Sequence, residues 1–264
     1  MRAYWNDERW LTAWPKRERL TDTISPYLLD GMALQKGERV LDIGSGGGKT
    51  ALAAAGAVGA DGFVVGADIS EPLTQLANHR AREAGVNNVA FRVADVQLDH
   101  IDGGPFDVAM SQFGVMFFDE PIVAFANIRG HLKPRGRLRF ACWQSNERNP
   151  WFFAPVVAEF LTPPPPPAPG KSPTGPFALA DQARTTSILE GAGFAEVRCT
   201  TFETAVDAPQ DALVDDDQLA FMGVSQADMA RACAIAGAHM ARFKLPSGQS
   251  RFPLAFQIYD AKNV

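Results

Sequence analysis

A glycine-rich turn near the start of the chain has the residue types that hold a polar ligand. Residues 41–48 read LDIGSGGG, an apolar segment precedes them, and Lys49 begins a run of small helix-forming residues. Glycines let the backbone approach a ligand closely, and the start of a helix favours negative or strongly polar groups. The turn therefore predicts a ligand site between a strand and a helix.

The spacing of the glycines distinguishes the ligands that use such a turn. A nucleotide triphosphate loop needs a glycine, four residues and then Gly-Lys-Ser/Thr, which would place its first glycine at Ile43. The dinucleotide pattern GxGxxG, counted from Gly44 and Gly46, would place its third glycine at Lys49. Because both patterns fail, a nucleotide hydrolase and a dinucleotide-dependent dehydrogenase are disfavoured.

Carboxylates stand at the ends of three successive predicted strands. Asp42 belongs to the first, and Asp68 and Asp95 come at the ends of the next two. The carboxyl ends of parallel strands form one edge of the sheet, where ligands of such folds bind. Asp68 could instead cap the following helix, although Ser70 is the better cap, and Asp95 could serve only a turn. The three acceptors together favour a shared ligand site.

The pattern Asp-x-Gly-x-Gly-x-Gly, from Asp42 to Gly48, resembles the first motif of class I S-adenosylmethionine-dependent methyltransferases. The resemblance extends over most of the chain, and within the family the sequence is similar to the ubiquinone/menaquinone-type small-molecule group. It implies S-adenosylmethionine as cofactor and S-adenosylhomocysteine as product, with the ribose at Asp68 and the adenine amino group at Asp95. The cofactor-binding residues that it implies are Asp42, Gly44, Ser45, Gly46, Gly48, Asp68, Ile69, Asp95, Val96, Ser111 and Gln112.

Two positions depart from the family pattern. Gly47 stands where threonine is common, and Gln112 stands where this branch of the family leads us to expect arginine. The first change leaves the expected cofactor site intact. The second affects contacts near the end of the fourth strand.

Apolar side chains gather after the fourth and fifth strands, where the methyl group would emerge. The predicted acceptor pocket contains Phe113, Met116, Phe117 and Trp143. The implied reaction is methyl transfer to O, N or C of a small, largely apolar metabolite, such as a secondary metabolite or a quinone. The four histidines are isolated in the sequence, so we assign no catalytic base. A non-catalytic S-adenosylmethionine-binding or regulatory protein is the alternative.

Alternating strands and helices must position these residues. Strands are predicted at 39–43, 63–67, 89–93, 106–111, 136–142, 195–204 and 251–260. Helices are predicted at 21–34, 49–57, 71–84, 121–132, 151–161 and 181–192, and residues 208–243 are mostly helical. The alternation indicates an α/β, Rossmann-like doubly wound sheet. The resemblance adds that the sheet has seven strands and is mostly parallel, with the last strand antiparallel between the fifth and sixth, and that a helical cap is inserted.

We expect a single methyltransferase domain over residues 1–264. An aromatic-rich segment, 1–20, is predicted to lie over the cofactor site, and residues 21–142 form the cofactor-binding core. Residues 143–180 are an insertion whose proline tract, 163–167, is interpreted as a stiff spacer. Residues 181–264 supply cap helices and the last two strands.

Composition restricts the classes of partner and the cellular compartment that we expect. The formal net charge of −5 provides no excess of basic groups for phosphates, so we expect a small-molecule substrate and no nucleic acid. The longest apolar run, 51–60, is far shorter than the roughly 18 residues that a membrane span needs. Cys142, Cys199 and Cys233 show no CxxC spacing, so we expect reduced thiols, no metal site and a cytoplasmic protein.

Overall fold

The computed structural model describes residues 2–162, 167–209 and 213–264. Residues 163–166 of the predicted proline spacer lie outside this description. Across the described ranges, the helices are too short or too polar to cross a membrane.

Strands in the described residues form one seven-stranded sheet. They are β1 (Arg39–Ile43), β2 (Phe63–Asp68), β3 (Val89–Val93), β4 (Phe106–Gln112), β5 (Leu132–Trp143), β6 (Phe194–Ala208) and β7 (Ser250–Asn263). Their order is β3-β2-β1-β4-β5-β7-β6, and β7 runs opposite to the other six strands. The predicted doubly wound sheet with an antiparallel last strand is therefore confirmed. The order reverses between β1 and β4, and folds of this kind bind ligands at such a reversal.

Helices cover both faces of the sheet. They are α1 (Arg2–Trp5), α2 (Arg9–Thr21), α3 (Ser25–Met32), α4 (Lys49–Val58), α5 (Glu71–Glu83), α6 (Pro121–His131), α7 (Gln182–Gly191), α8 (Asp216–Phe221) and α9 (Met229–Met240). Side-chain caps begin several of them. Ser70 accepts from the Leu73 amide at 3.3 Å at the start of α5, and Asp215 accepts from the Gln218 amide at 2.7 Å at the start of α8. The preference for Ser70 as the cap of α5 is thus confirmed.

Two apolar cores lie on opposite faces of the sheet. Successive strand residues alternate between the faces, so Val40 belongs to the core beneath α4 and α5, and Leu41 belongs to the core beneath α6 and α7. Both side chains are fully buried, and burial of such a side chain contributes about 1.5–3 kcal/mol. The cores hold β1 rigidly, and the glycine-rich turn continues directly from it.

Three local predictions differ from the structure in the bounds or the type of the element. The helix predicted at 21–34 is present as α3 but shorter, at Ser25–Met32, and Thr21 is the last residue of α2. The helix predicted at 151–161 is a run of 3-10 turns, Ala154–Phe160, with a non-helical break at Val157. The fifth strand, predicted at 136–142, begins already at Leu132, and a bulge near its start brings Leu132 opposite Phe106 and Arg137 opposite Val108. The positive φ of Arg135 absorbs the extra residues of that bulge.

Candidate functional site

A cavity of about 790 Å³ opens at the carboxyl edge of β1, β2, β4 and β5. The volume lies in the upper part of the range for ligand pockets, roughly 300–1,000 Å³. Helix α2 and the region of α8 also line it, and an ion pair between Lys16 and Asp215 joins these two elements. The cavity therefore lies where the strand order reverses, with helices closing its outer side.

Backbone amides of the glycine turn are already engaged inside the protein. The amides of Gly44 and Ser45 donate to the Ala67 carbonyl at 2.8 and 3.2 Å, and the Gly46 amide donates to Asp68 Oδ2 at 2.7 Å. Lys49 points away to Asp22, with Nζ 2.5 Å from Oδ2. A phosphate loop needs such amides and its lysine free for phosphate oxygens. The geometry thus agrees with the glycine spacing in disfavouring a nucleotide triphosphate.

Asp68 fastens the turn to the end of β2. Its carboxylate accepts from the amides of Gly46 and Ser70 at 2.7 and 2.8 Å, is largely buried, and still lines the cavity. Burial raises the pKa of this carboxyl, and the two amide hydrogen bonds act against that rise. A carboxylate has about four acceptor positions, so capacity remains for a ligand hydroxyl.

Asp42 lies beneath the turn and does not line the cavity. Its Oδ2 accepts from Thr50 Oγ1 at 2.6 Å, which ties β1 to the first turn of α4. Burial first, and then the nearby charge of Asp68, raises the pKa of Asp42 to about 7. Its other oxygen, Oδ1, is buried without a hydrogen-bond partner among the described residues.

The N-terminal helices lie directly on the turn. A Cβ atom added to Gly46 would lie 2.1 Å from Trp14 Cζ2, and one added to Gly47 would lie 2.6 Å from Trp14 Nε1. Arg80 of α5 links the two sides, donating to Glu18 Oε1 at 2.7 Å and to the Gly47 carbonyl at 2.9 Å. The departure at Gly47 therefore has a steric reason, because a threonine there would collide with Trp14.

Residues just before α2 hold the turn that leads into α5. Ser70 Oγ donates to the Trp5 carbonyl at 2.6 Å, and the Glu71 amide donates to Asn6 Oδ1 at 2.8 Å. Ile69, between the strand end and this helix, lines the cavity. The expected location of segment 1–20 over a cofactor stays a prediction, although the segment contacts the glycine turn on one side and the β2–α5 connection on the other.

Several unpaired polar atoms collect at the cavity. In the described residues, buried side-chain atoms without a partner include four that belong to cavity-lining residues, namely Trp14 Nε1, Arg17 Nε, Ser45 Oγ and Gln112 Oε1. Leaving a buried polar atom unpaired costs about 1–3 kcal/mol, so such groups are usually satisfied. Their concentration here indicates a site built for a polar ligand with both donors and acceptors.

Aromatic rings form a further part of the cavity wall, near the ends of β4 and β5. Phe113 stacks on Trp143 with ring centres 4.1 Å apart, and Trp143 meets Trp151 edge-on at 5.0 Å. Phe113 has a φ of +64°, a conformation uncommon for a bulky residue, and such strain concentrates at functional sites. Phe117 packs against Trp5 at 5.1 Å. This wall presents flat apolar surfaces to the cavity.

The structure brings most of the predicted site residues to one cavity. Its lining includes Gly44, Ser45, Asp68, Ile69, Asp95, Val96, Gln112, Phe113, Met116, Phe117 and Trp143. Four predicted cofactor residues do not line it, namely Asp42, Gly46, Gly48 and Ser111. Ser111 is fully buried, and its hydroxyl donates to the Ile43 carbonyl at 2.7 Å and accepts from the Gly114 amide at 3.1 Å. It joins the ends of β1 and β4.

Asp95 and Gln112 combine a cavity position with a local hydrogen bond. Asp95 Oδ1 accepts from the Gln97 amide at 3.1 Å, as a turn residue does. Gln112 Nε2 donates to the Thr21 carbonyl at 3.3 Å, which anchors the end of α2 to β4 and leaves Oε1 for a ligand. The glutamine that replaces the expected arginine thus serves the junction between helix and sheet.

Sequence reasoning placed segment 1–20 over the site but assigned no individual residue of α2 to it. Trp14 and Arg17 line the cavity, as does Phe221 of α8, and none of the three is among the predicted site residues. The spacing of Trp10, Trp14, Arg17 and Thr21 by three or four residues was the available signal, because it places them on one face of a helix.

Histidines lie elsewhere in the described chain, and none lines the cavity. His131 is buried and accepts from the Ile101 amide at 2.8 Å through Nε2, so its role is structural. The described residues also contain no cluster of three histidine, cysteine or acidic groups that could hold a metal ion.

Comparisons with known proteins agree with the fold. Residues 40–136 match the family described as "Methyltransferase domain". Aklanonic acid methyltransferase DauC of Streptomyces sp. strain C5 is 33% identical over 126 residues, which are 48% of this chain and 54% of that protein. The ubiquinone/menaquinone biosynthesis C-methyltransferase UbiE of Idiomarina loihiensis is 32% identical over 113 residues, 42% of this chain and 45% of that protein.

A solved structure shares the fold over almost the entire chain. The S-adenosylmethionine-dependent methyltransferase from Aquifex aeolicus superposes with a TM-score of 0.58 at 18% identity, covering 98% of this chain and 99% of that one. The chain spans about half the length of the curated relatives that it matches. Residues 40–136 therefore resemble a methyltransferase domain, and the chain shares the fold of the solved methyltransferase structure.

Proposed function

We propose that this protein transfers the methyl group of S-adenosylmethionine to O, N or C of a small, largely apolar metabolite. The observation that carries the proposal is one cavity that is lined both by unpaired polar atoms beside the glycine turn and by stacked aromatic rings. The first set suits an amino acid and a ribose, and the second suits an apolar acceptor.

The residues present fit the cofactor at both of its ends. Near the turn, Trp14 Nε1 can donate to the methionine carboxylate and Gln112 Oε1 can accept from the amino group. At the ends of β2 and β3, the carboxylates of Asp68 and Asp95 can accept from the ribose hydroxyls and the adenine amino group, with Ile69 and Val96 beside them. Every one of these assignments is part of the proposal.

The bound sulfonium would supply an already activated methyl group. The chain must then orient the acceptor, exclude water and stabilise the arrangement. Phe113 and Trp143 provide a rigid flat wall for orientation, because stacking fixes both rings. Trp5 and Trp14 of the N-terminal helices also line the cavity.

The relatives narrow the acceptor class. One is named for aklanonic acid and another for ubiquinone and menaquinone biosynthesis. A secondary metabolite or quinone-like acceptor is therefore part of the proposal, and nucleic acid is not, because the chain carries a net charge of −5. A cytoplasmic location is also part of it, supported by the free thiols of Cys142, Cys199 and Cys233.

Calorimetry on the pure protein with S-adenosylmethionine and S-adenosylhomocysteine tests the cofactor, with NAD and ATP as comparison ligands. Binding of the first two alone supports the proposal, and failure of both to bind refutes it. Incubation with methyl-labelled S-adenosylmethionine and a metabolite extract then tests transfer. Cofactor binding without label in any extract fraction would favour the alternative, a non-catalytic binding or regulatory protein.

A further inference from the structure

Arg17 is the cavity-lining cation without an ion-pair partner in the described part of the chain. Arg9, Lys16, Lys49 and Lys171 also line the cavity, and each of them is paired with at least one carboxylate. The Nε of Arg17 is buried and has no hydrogen-bond partner among the described residues. Buried charges are normally paired, so this guanidinium lacks the anion that would complete it.

The position of Arg17 is fixed by rigid aromatic neighbours. Its guanidinium lies over the Trp10 ring, 4.6 Å from the ring centre. Trp10 is fully buried, and its Nε1 donates to the Tyr4 carbonyl at 2.8 Å. An arginine held on a ring face keeps its edge donors available to a planar anion. The cation is therefore positioned before any ligand arrives.

The same aromatic cluster connects Arg17 to the apolar wall. Trp5 stacks on Trp10 with centres 4.6 Å apart and contacts Phe117 edge-on at 5.1 Å. Phe117 belongs to the predicted acceptor pocket, whereas Trp14 is the residue of α2 that covers the glycine turn. Two rings, Trp10 and Trp5, therefore join the unpaired charge to the predicted acceptor pocket.

We propose that the acceptor is an aromatic organic acid that binds as its anion, with its negative charge paired to Arg17. This proposal rests on the proposed methyltransferase function and specifies its substrate class. It also explains how the reaction proceeds in a cavity that no described histidine lines. An ionised oxygen attacks the methyl carbon, the C–O bond forms, and the C–S bond breaks with its electron pair moving to sulfur. No proton is transferred, so no base is required.

Three probe pairs test the charge preference on the protein saturated with S-adenosylhomocysteine. They are benzoate, 2-naphthoate and anthraquinone-2-carboxylate, each compared by calorimetry with its neutral carboxamide. We expect at least one carboxylate to bind ten or more times tighter than its amide. Equal affinities in all three pairs would overturn the proposal, and the binding of S-adenosylhomocysteine in the same experiment would leave the methyltransferase function standing.

Variants of two arginines on α2 then assign the preference to one residue. Arg17→Gln should remove the preference for the carboxylate, and Arg17→Lys should retain part of it. Arg9→Gln is the matched control, because Arg9 also lines the cavity but is paired with Asp7. It should keep the full preference.

The affinity of each variant for S-adenosylhomocysteine shows whether the anion that pairs with Arg17 belongs to the acceptor or to the cofactor. If Arg17 serves the acceptor, all three variants bind S-adenosylhomocysteine within about twofold of the unmodified protein. If Arg17→Gln loses that affinity and keeps the preference for the carboxylate, Arg17 serves the cofactor and the proposal is wrong. Urea unfolding of each variant confirms that it is folded.

Discussion

Gly46→Ala should expose how tightly α2 is packed on the glycine turn. Gly46 has a φ of +51°, and a Cβ there would lie 2.1 Å from Trp14 Cζ2 and 2.6 Å from Trp14 Cη2. The left-handed conformation costs an L-residue about 1–2 kcal/mol. The overpacking adds typically about 1–3 kcal/mol, so we expect a total loss of roughly 2–5 kcal/mol in the free energy of unfolding.

Gly37→Ala separates conformational strain from steric overlap. Gly37 also has a positive φ, +83°, but a Cβ there meets no atom within 4 Å. This control should therefore show the strain alone. The difference between the two variants measures the collision with Trp14.

Urea unfolding of the two variants, of Trp14→Ala and of the double variant gives the coupling energy. In the Trp14→Ala background, Gly46→Ala should cost no more than Gly37→Ala does in the unmodified protein, because the obstructing ring is gone. Calorimetry should also show weaker binding of S-adenosylhomocysteine to Gly46→Ala. If Gly46→Ala costs the same as Gly37→Ala, or if Trp14→Ala brings no relief, the close packing of α2 on the turn is refuted.

Three further predictions concern the carboxylates and the aromatic wall. The pKa of Asp42 is raised from 3.8 to about 7, so between these values the native state keeps a proton that the unfolded chain has lost, and stability falls as the pH rises. Asp42→Asn should abolish this loss of stability, which is up to about 3 kcal/mol between pH 5 and pH 8. If urea unfolding gives the variant and the unmodified protein the same dependence of stability on pH, the loss does not come from Asp42. Asp68→Asn should lower both the unfolding free energy and the affinity for S-adenosylhomocysteine, because Asp68 also holds the Gly46 amide, whereas Asp95→Asn should lower the affinity alone. We expect each loss to be about 1.5–3 kcal/mol. Equal unfolding free energies of the two variants would contradict the role of Asp68 in fastening the turn. Trp143→Leu should weaken binding of the preferred acid probe at least tenfold and change S-adenosylhomocysteine affinity by less than twofold, and the reverse pattern in calorimetry would move Trp143 to the cofactor side.

Local pattern was sufficient for the elements nearest the glycine turn. Both β1 at Arg39–Ile43 and β3 at Val89–Val93 have the bounds that the sequence predicts. Apolar runs bounded by turn residues and caps are written in neighbouring positions, so they can be identified without knowledge of the fold. The 3-10 run at Ala154–Phe160 was mistaken for a helix because its apolar spacing alone does not reveal the break at Val157.

By itself, the sequence determined the doubly wound sheet, the glycine spacing that disfavours phosphate ligands, and the edge of the sheet at which Asp68 and Asp95 lie. Only the tertiary structure decided that the turn's amides are consumed internally, that Trp14 covers Gly46, and that Arg17 stays unpaired in the cavity. The physical reason is the distance along the sequence over which the interactions act. Spacing and periodicity report interactions within a few residues, whereas the contacts of Trp14 and Asp68 with the turn join residues more than 20 positions apart, and their geometry is set by how whole elements pack.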